Sequence, residues 1–238
     1  MRARSTLTRT SGDKKKPAAP AAGKKRGSRL SFEERRAQIL AKAVEFFAEF
    51  GLTAQTRSLA EACGVSQRLI YRFFPSKAAL LAEVYNQAIL SPFKSLWLVQ
   101  LGDRKKPMQQ RLEAFYTDYY NTVLTERWLR LFLYASLAEV DMAPNYIATI
   151  IRQMLEVITV ETAVEQGVTL PKDAHLVHEL GWLLHGAVSH FAIRRYLYQA
   201  GHDVPAEVVL DMHIRSFLAG FAAAAEAVRQ AERHIAAE

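Results

Sequence analysis

The sequence is short of the residues that would point away from a helical protein. Of 238 residues, one is cysteine, 11 are glycine and 8 are proline. A lone Cys63 excludes an intramolecular disulfide and fits a reducing compartment, so the cytoplasm is the expected location. No uninterrupted apolar run reaches the roughly 18 to 20 residues needed to cross a bilayer, and no membrane segment is expected. The basic N-terminus lacks the apolar stretch of a secretory signal. Phosphate-binding glycine loops, nucleophile elbows, zinc-protease helices and a persuasive acid–base pair are also missing, which argues against an enzyme. No cofactor is implied.

What remains favours helix. Half of the residues are hydrophobic, enough to bury a core, and Ala and Leu recur without strand-like alternation. The formal charge of +7 is unevenly placed. Residues 1–29 hold ten basic groups against Asp13 alone, residues 30–77 hold seven against five, and the remainder holds fourteen against eighteen. A strongly basic start followed by a mildly acidic body suggests a nucleic-acid contact at one end of the molecule. Residues 1–29 carry almost no large apolar side chains and read as a disordered basic tail. Two roles stay open for it: a solubilising extension, or an arm that adds phosphate contacts.

Ser31, with Glu34 three residues on, has the pattern of a capping box. Ile39, Ala43, Phe46, Phe47 and Phe50 follow at helical spacing, and Gly51 is placed to stop that helix. Short helices are predicted from Thr56 to Cys63 and from Ser66 to about Phe73, then one from Ser76 to about Leu90. Longer amphipathic segments are predicted at about 107–124, 127–139, 145–167, 173–200 and 205–235, separated by Gly-, Asp- and Pro-containing breaks.

Residues 56–77 read TRSLAEACGVSQRLIYRFFPSK. Two short helices crossing steeply need a tight turn, which Gly64 beside the small Cys63 supplies. Leu59, Ala60, Val65 and Ile70 would lock the crossing. Ser66 would start the second helix and leave Gln67, Arg68, Tyr71 and Arg72 on its outer face. Gln and Arg can hydrogen-bond purine edges in a major groove. The segment is a candidate helix-turn-helix whose recognition helix runs from Ser66 to Phe73.

The succession Ile39, Phe46, Phe47, Gly51, Thr56, Leu59, Ala60, Ala62, Gly64, Val65, Ser66, Tyr71, Phe74, Pro75, Lys77 and Leu80 resembles the N-terminal domain of the TetR family of transcriptional regulators. The resemblance covers about residues 32–85. It implies an all-α protein with an N-terminal three-helix helix-turn-helix domain (30–77) joined to a larger helical ligand-binding and dimerisation domain (78–238). It also implies DNA contacts from Thr56 and Arg57, base contacts from Gln67 and Arg68, backbone contacts from Tyr71, and a phosphate held by Lys77; Ser66 and Arg72 complete the expected interface. Three positions depart from the family pattern: Leu69 where Thr or Ser is frequent, Phe73 where His is frequent, and Arg68 where a small residue or Pro is frequent. They bear on which operator is read.

By the same resemblance the C-terminal half carries a dimer interface and an effector pocket. Small residues on the last two segments (Gly181, Ala187, Gly220 and Ala224) would let helices of two copies approach closely, with intrachain packing as the alternative. Trp97, Phe115, Tyr119, Trp128, Phe132, Met154, Trp182 and His185 offer apolar bodies with polar tips for a pocket, or for an ordinary core. The expected ligand is an unidentified small molecule, largely apolar or aromatic, with one or two polar groups. His175, His178 and His185 share a helix face, but no Cys or dense carboxylate set joins them, so no metal site is expected. Cys63 reads as a buried inert thiol or, alternatively, a redox sensor.

The expected function is a dimeric regulator, a repressor that binds double-stranded operator DNA and is released by its effector. An activator or ligand-independent regulator of the same fold is the alternative, and an architectural DNA-binding protein a more distant one.

Overall fold

Three of the first four helices begin on a serine whose hydroxyl accepts a backbone N–H: Ser31 from Glu34 (3.1 Å), Ser66 from Leu69 (3.2 Å) and Ser76 from Ala79 (3.0 Å). Each cap satisfies an amide that the helix itself leaves unpaired. Glu34 reciprocates by accepting the Ser31 amide at 2.7 Å, which completes the capping box and holds its carboxyl below the usual range.

The computed structural model describes residues 30–138, 142–200 and 203–235; the basic tail expected at 1–29 lies outside them. The described residues form helices and no strand. In order they are α1 (Phe32–Phe50), α2 (Thr56–Ala62), α3 (Gln67–Phe73), α4 (Lys77–Tyr85), α5 (Leu96–Leu101), α6 (Met108–Thr122), α7 (Glu126–Leu137), α8 (Met142–Tyr146), α9 (Arg152–Gln166), α10 (Ala174–Tyr196) and α11 (Ala206–Ile235). Two π-helical turns extend this frame. Asn86–Leu90 prolongs α4, and Ile147–Ile151 joins α8 to α9. Helix α5 falls in a stretch where the sequence predicts no helix. Its six residues are too few to show a helical period.

Helices α1 to α3 form the helix-turn-helix region. Gly51 stops α1 at φ +82°, its amide bonded to Phe47. Gly64 makes the turn between α2 and α3 at φ +63°, a conformation open to glycine at no steric cost, while Val65 closes back on Ala60. Leu59 and Ile70 are fully buried across that turn, and Phe46, Phe47 and Phe74 lie in the core as expected. Phe50 does not: it is 58% exposed and leans on Phe46, with ring centroids 4.9 Å apart.

Across the rest of the chain, α10 packs between α9 and α11, and α11 runs along α6. The α5–α6 corner is pinned by a buried charge. Arg111 donates to the Leu101 carbonyl (2.6 Å) and pairs with Glu161 (3.1 Å) and Glu165 (2.9 Å) on α9. Burial to 3% exposure is tolerable for a guanidinium only with such partners.

By length and composition α11 is long and apolar enough to cross a membrane, although it contains no uninterrupted apolar run of membrane-spanning length. Its inner face, with Leu210, Ile214, Phe217, Phe221 and Ala225, is buried within this chain. Its outer face is rich in alanine and polar residues, which raises mean apolarity without making one long greasy run.

Candidate functional site

Helix α3 turns its polar side outward. Ser66, Gln67, Arg68, Tyr71 and Arg72 are exposed, and Ile70 anchors the opposite side in the core. Ser66, Arg68, Leu69, Tyr71 and Arg72 line a shallow open concavity along the helix. Ser66 already accepts the Leu69 amide, which leaves its hydroxyl proton free to donate. Arg68, Arg72 and Lys77 have no ionic partner among the described residues. Phe73, in the place where a polar residue was noted as frequent, instead packs on Phe32 at 4.6 Å, with Arg72 above the Phe32 ring at 6.0 Å. This brace fixes the end of α3 against the start of α1. Phe32 carried no sign of it in the sequence, because the contact joins positions forty residues apart.

Two expected DNA contacts are placed differently. Thr56 opens α2, but its residue surface is 95% hidden (5% exposed), so its side chain is not presented for a DNA contact. Arg57 is well exposed yet reaches Glu61 at 3.4 Å along the same helix, and a phosphate would have to compete with that carboxylate. Lys77 is half-buried at the first turn of α4.

The helix-turn-helix is tied to the C-terminal half through α7. Arg130 donates from Nε to the Ala48 carbonyl (2.7 Å) and from Nη2 to that of Glu49 (3.3 Å), serving as a cationic cap on the end of α1. Tyr134, one turn on, packs its ring 3.7 Å from the Cβ position of Gly51. Trp128, half a turn before Arg130, donates from Nε1 to the Ile89 carbonyl at 3.4 Å in the π turn of α4. No sequence signal marks Arg130, since its partners are backbone atoms about eighty residues away.

Trp128 also lines a cavity of about 120 Å³. Of the expected pocket residues, Tyr119, Trp128, Phe132, Trp182 and His185 meet there. The other three do not. Trp97 donates its Nε1 to Asp118 at 2.8 Å and packs edge-on against Phe115, while Met154 is wholly buried elsewhere in the core. Tyr146 is an additional wall residue that was not anticipated, next to the break before α9. The hydroxyls of Tyr119 and Tyr146 lie near one another, yet neither they nor His185 Nδ1 reaches a protein hydrogen-bond partner among the described residues. Burial drives His185 down to about 3, so its imidazole is neutral at physiological pH. It also raises the Tyr119 phenol well above its ordinary value and pushes that of Tyr146 up to about 12. Beyond the cavity wall lies an open groove that shares Phe132, Ile147, Ile151 and Trp182 with it; His175 and His178 sit on the groove side.

The four expected interface residues separate. Gly181 belongs to intrachain packing: a Cβ there would sit 2.9 Å from Leu155 Cβ and 3.0 Å from Thr159 Oγ1, so glycine is what lets α10 meet α9. Ala224 is half-buried against the core of its own chain, and Ala187 is half-buried on α10. Gly220 is exposed with nothing near it, on an outer face of α11 that also shows Val208, Met212 and Ala223; α10 exposes Leu183.

Comparisons with known proteins agree with this layout. A family model described as bacterial regulatory proteins, tetR family, matches residues 39–84. The HTH-type transcriptional activator FasR of Mycolicibacterium smegmatis is 32% identical over 100 residues, which cover 41% of this chain and 46% of that protein. The match thus spans about half of that relative's length. A TetR-like transcriptional regulator from Rhodococcus sp. RHA1 superposes with a TM-score of 0.61 at 19% identity, covering 81% of this chain and 100% of its own. A tetR-family regulator from Streptomyces coelicolor gives 0.54 at 20% identity, covering 87% and 90%. At these identities the two structures speak for the fold.

Proposed function

We propose that this chain, whose residues 39–84 match the tetR-family model and which resembles an HTH-type activator over 100 residues, is a TetR-type transcriptional regulator that binds a near-palindromic operator as a homodimer and loosens its hold when a small molecule enters the C-terminal cavity. The observation that carries this reading is the outward face of α3, where Gln67, Arg68, Tyr71 and Arg72 stand exposed together and neither arginine has an ionic partner among the described residues. Gln and Arg read purine edges, while Tyr and further cations hold the backbone.

One α3 covers one half-site. Two copies must present their recognition helices roughly 34 to 36 Å apart, in successive major grooves. The small and apolar residues exposed on α10 and α11, among them Leu183, Val208, Met212 and Gly220, support pairing through these helices. Trp128 and Arg130 supply the transmission. One face of α7 lines the cavity, and the same helix holds the ends of α1 and α4. A ligand that favours another position of α7 shifts the spacing of the two α3 helices and lowers DNA affinity by its differential binding energy, typically about 1 to 3 kcal/mol.

The test is a gel shift with DNA upstream of its own coding sequence and excess nonspecific competitor. Retention at a short palindrome is the expected result. Salt-sensitive, sequence-blind binding would favour the architectural alternative. The sign of regulation depends on where the operator lies relative to the promoter. FasR is named an activator, which favours activation as a second reading. Transcription in vitro from the bound promoter separates the two by its direction.

A further inference from the structure

The cavity wall combines apolar surface with polar atoms that have nowhere to go. Trp128, Phe132 and Ile151 supply the apolar part. Tyr119 and Tyr146, both fully buried, and His185, 3% exposed, carry hydroxyl oxygens and an imidazole nitrogen without a protein partner among the described residues. Leaving such atoms unpaired costs about 1 to 3 kcal/mol each, so a group that reaches them recovers binding energy. No ionisable carboxylate, lysine or arginine lines the space. An ion entering it would lose its hydration with no opposite charge to meet. The volume sets an upper limit: an apolar cavity of about 150 Å³ accommodates benzene, and at about 120 Å³ this one excludes anything larger than a single small ring unless its wall on the groove side gives way.

We infer that the cavity is a site for a compact, uncharged ring-containing molecule bearing one hydroxyl or carbonyl group, which hydrogen-bonds to Tyr119, Tyr146 and His185. This deepens the effector reading above and rests on it for any effect on DNA. The ring lies against Trp128 and Phe132, whose own rings stack 4.6 Å apart. Its path in is the shared wall with the open groove, where Ile147–Ile151 form a π turn. Such turns break the regular helical ladder and recur at functional sites.

The experiment is a calorimetric titration of the full-length protein with four probes of nearly equal size: phenol, toluene, benzoate and benzylammonium. Thermal denaturation provides a second readout. Phenol is expected to bind and raise the melting temperature, with toluene about tenfold weaker for want of one hydrogen bond, and the two ions undetectable. Tyr146→Phe, checked for folding by circular dichroism, should narrow the gap between phenol and toluene. Should that variant not fold, the wild-type series decides the matter alone. Toluene equal to phenol, benzoate binding as well as phenol, or no binding by any probe would each overturn the assignment. Operator binding is then measured with phenol at saturation. Bound phenol that leaves operator affinity unmoved keeps the site and its chemistry and removes its role as an effector site. An ionic probe that shifts operator affinity does the reverse.

Discussion

Tyr71 and Tyr119 divide this molecule between them. Tyr71, on α3, shows 40% of its surface to solvent, on the face proposed to meet DNA. Tyr119, on α6, is fully buried with a hydroxyl that finds no hydrogen-bond partner among the described residues. The first belongs to a region whose shape is set by contacts a few residues apart: caps at Ser66 and Ser76, a glycine turn, and a short apolar anchor. The second belongs to a space assembled from α6, α7, the Ile147–Ile151 turn and α10, which are far apart in sequence. Polar groups held outward can be read from spacing. Polar groups held inward depend on the packing that surrounds them.

That contrast can be strained hardest at Gly181. Replacing it with Val drives a branched side chain into Leu155 and Thr159, including a backbone atom at 3.2 Å. Overpacking of this kind costs about 3 kcal/mol, and thermal denaturation should show a large loss. The same change at Gly220, with nothing within 4 Å, should leave the fold of each chain intact and act on dimerisation instead. Sedimentation velocity separates the two outcomes. Equal losses of melting temperature at both glycines would mean that the α11 face is not free in the way described.

On the DNA side, Arg68→Ala should lower operator affinity roughly 10- to 100-fold, about 1 to 3 kcal/mol, and relax preference at one base position. Tyr71→Ala should weaken operator binding as well, without dissociating the dimer. Fluorescence anisotropy on operator variants measures both effects. Melting temperature should scarcely change, since neither side chain is part of the core. Loss of dimer together with DNA binding would break the separation between the two regions.

On the cavity side the probe is acid. His185 is held near 3 when folded and returns to about 6.5 when the chain unfolds. Between these values the unfolded chain takes up a proton that the folded chain refuses. This group therefore contributes nothing to the pH dependence above about 6.5, and stability falls as pH drops below it. The slope is at most about 1.4 kcal/mol per pH unit, or about 2 kcal/mol between pH 6.5 and 5. His185→Phe should be flatter over that interval by the same amount, as measured by urea unfolding at a fixed protein concentration. Parallel curves would place His185 in contact with water.

These cases also show what could be read from the sequence. Capping at Ser31, Ser66 and Ser76, the stops at Gly51 and Gly64 and the exposed set on α3 were legible, because each depends on spacing within one or two turns. Five of eight aromatic and polar candidates meet at the cavity, since large amphipathic side chains do gather in such places. Thr56, Trp97 and Gly181 were misread for one reason. Which neighbour covers a threonine, satisfies an indole or crowds a glycine is settled by helices far away in sequence. Arg130 belongs to the same class, and Arg130→Ala tests whether α7 links the two regions. It removes two charge-assisted bonds to α1 carbonyls. Cavity occupancy should persist while its effect on operator affinity shrinks several-fold, out of the roughly 5- to 150-fold (about 1 to 3 kcal/mol) typical of such coupling.

The smallest effect is expected at Cys63, which sits between the two regions in character, half-buried at the end of α2. Burial pushes its thiol above the ordinary range, and Lys42 opposes this only in part. The reactive form of cysteine is the thiolate, so a raised thiol reacts slowly with peroxide at neutral pH. Cys63→Ala should therefore change stability by no more than about 0.5 kcal/mol, and operator binding should be the same before and after mild peroxide treatment in both proteins. Peroxide that releases DNA from the wild type but not from Cys63→Ala would make this thiol a sensor and α2 a second input to the recognition helix, independent of the cavity.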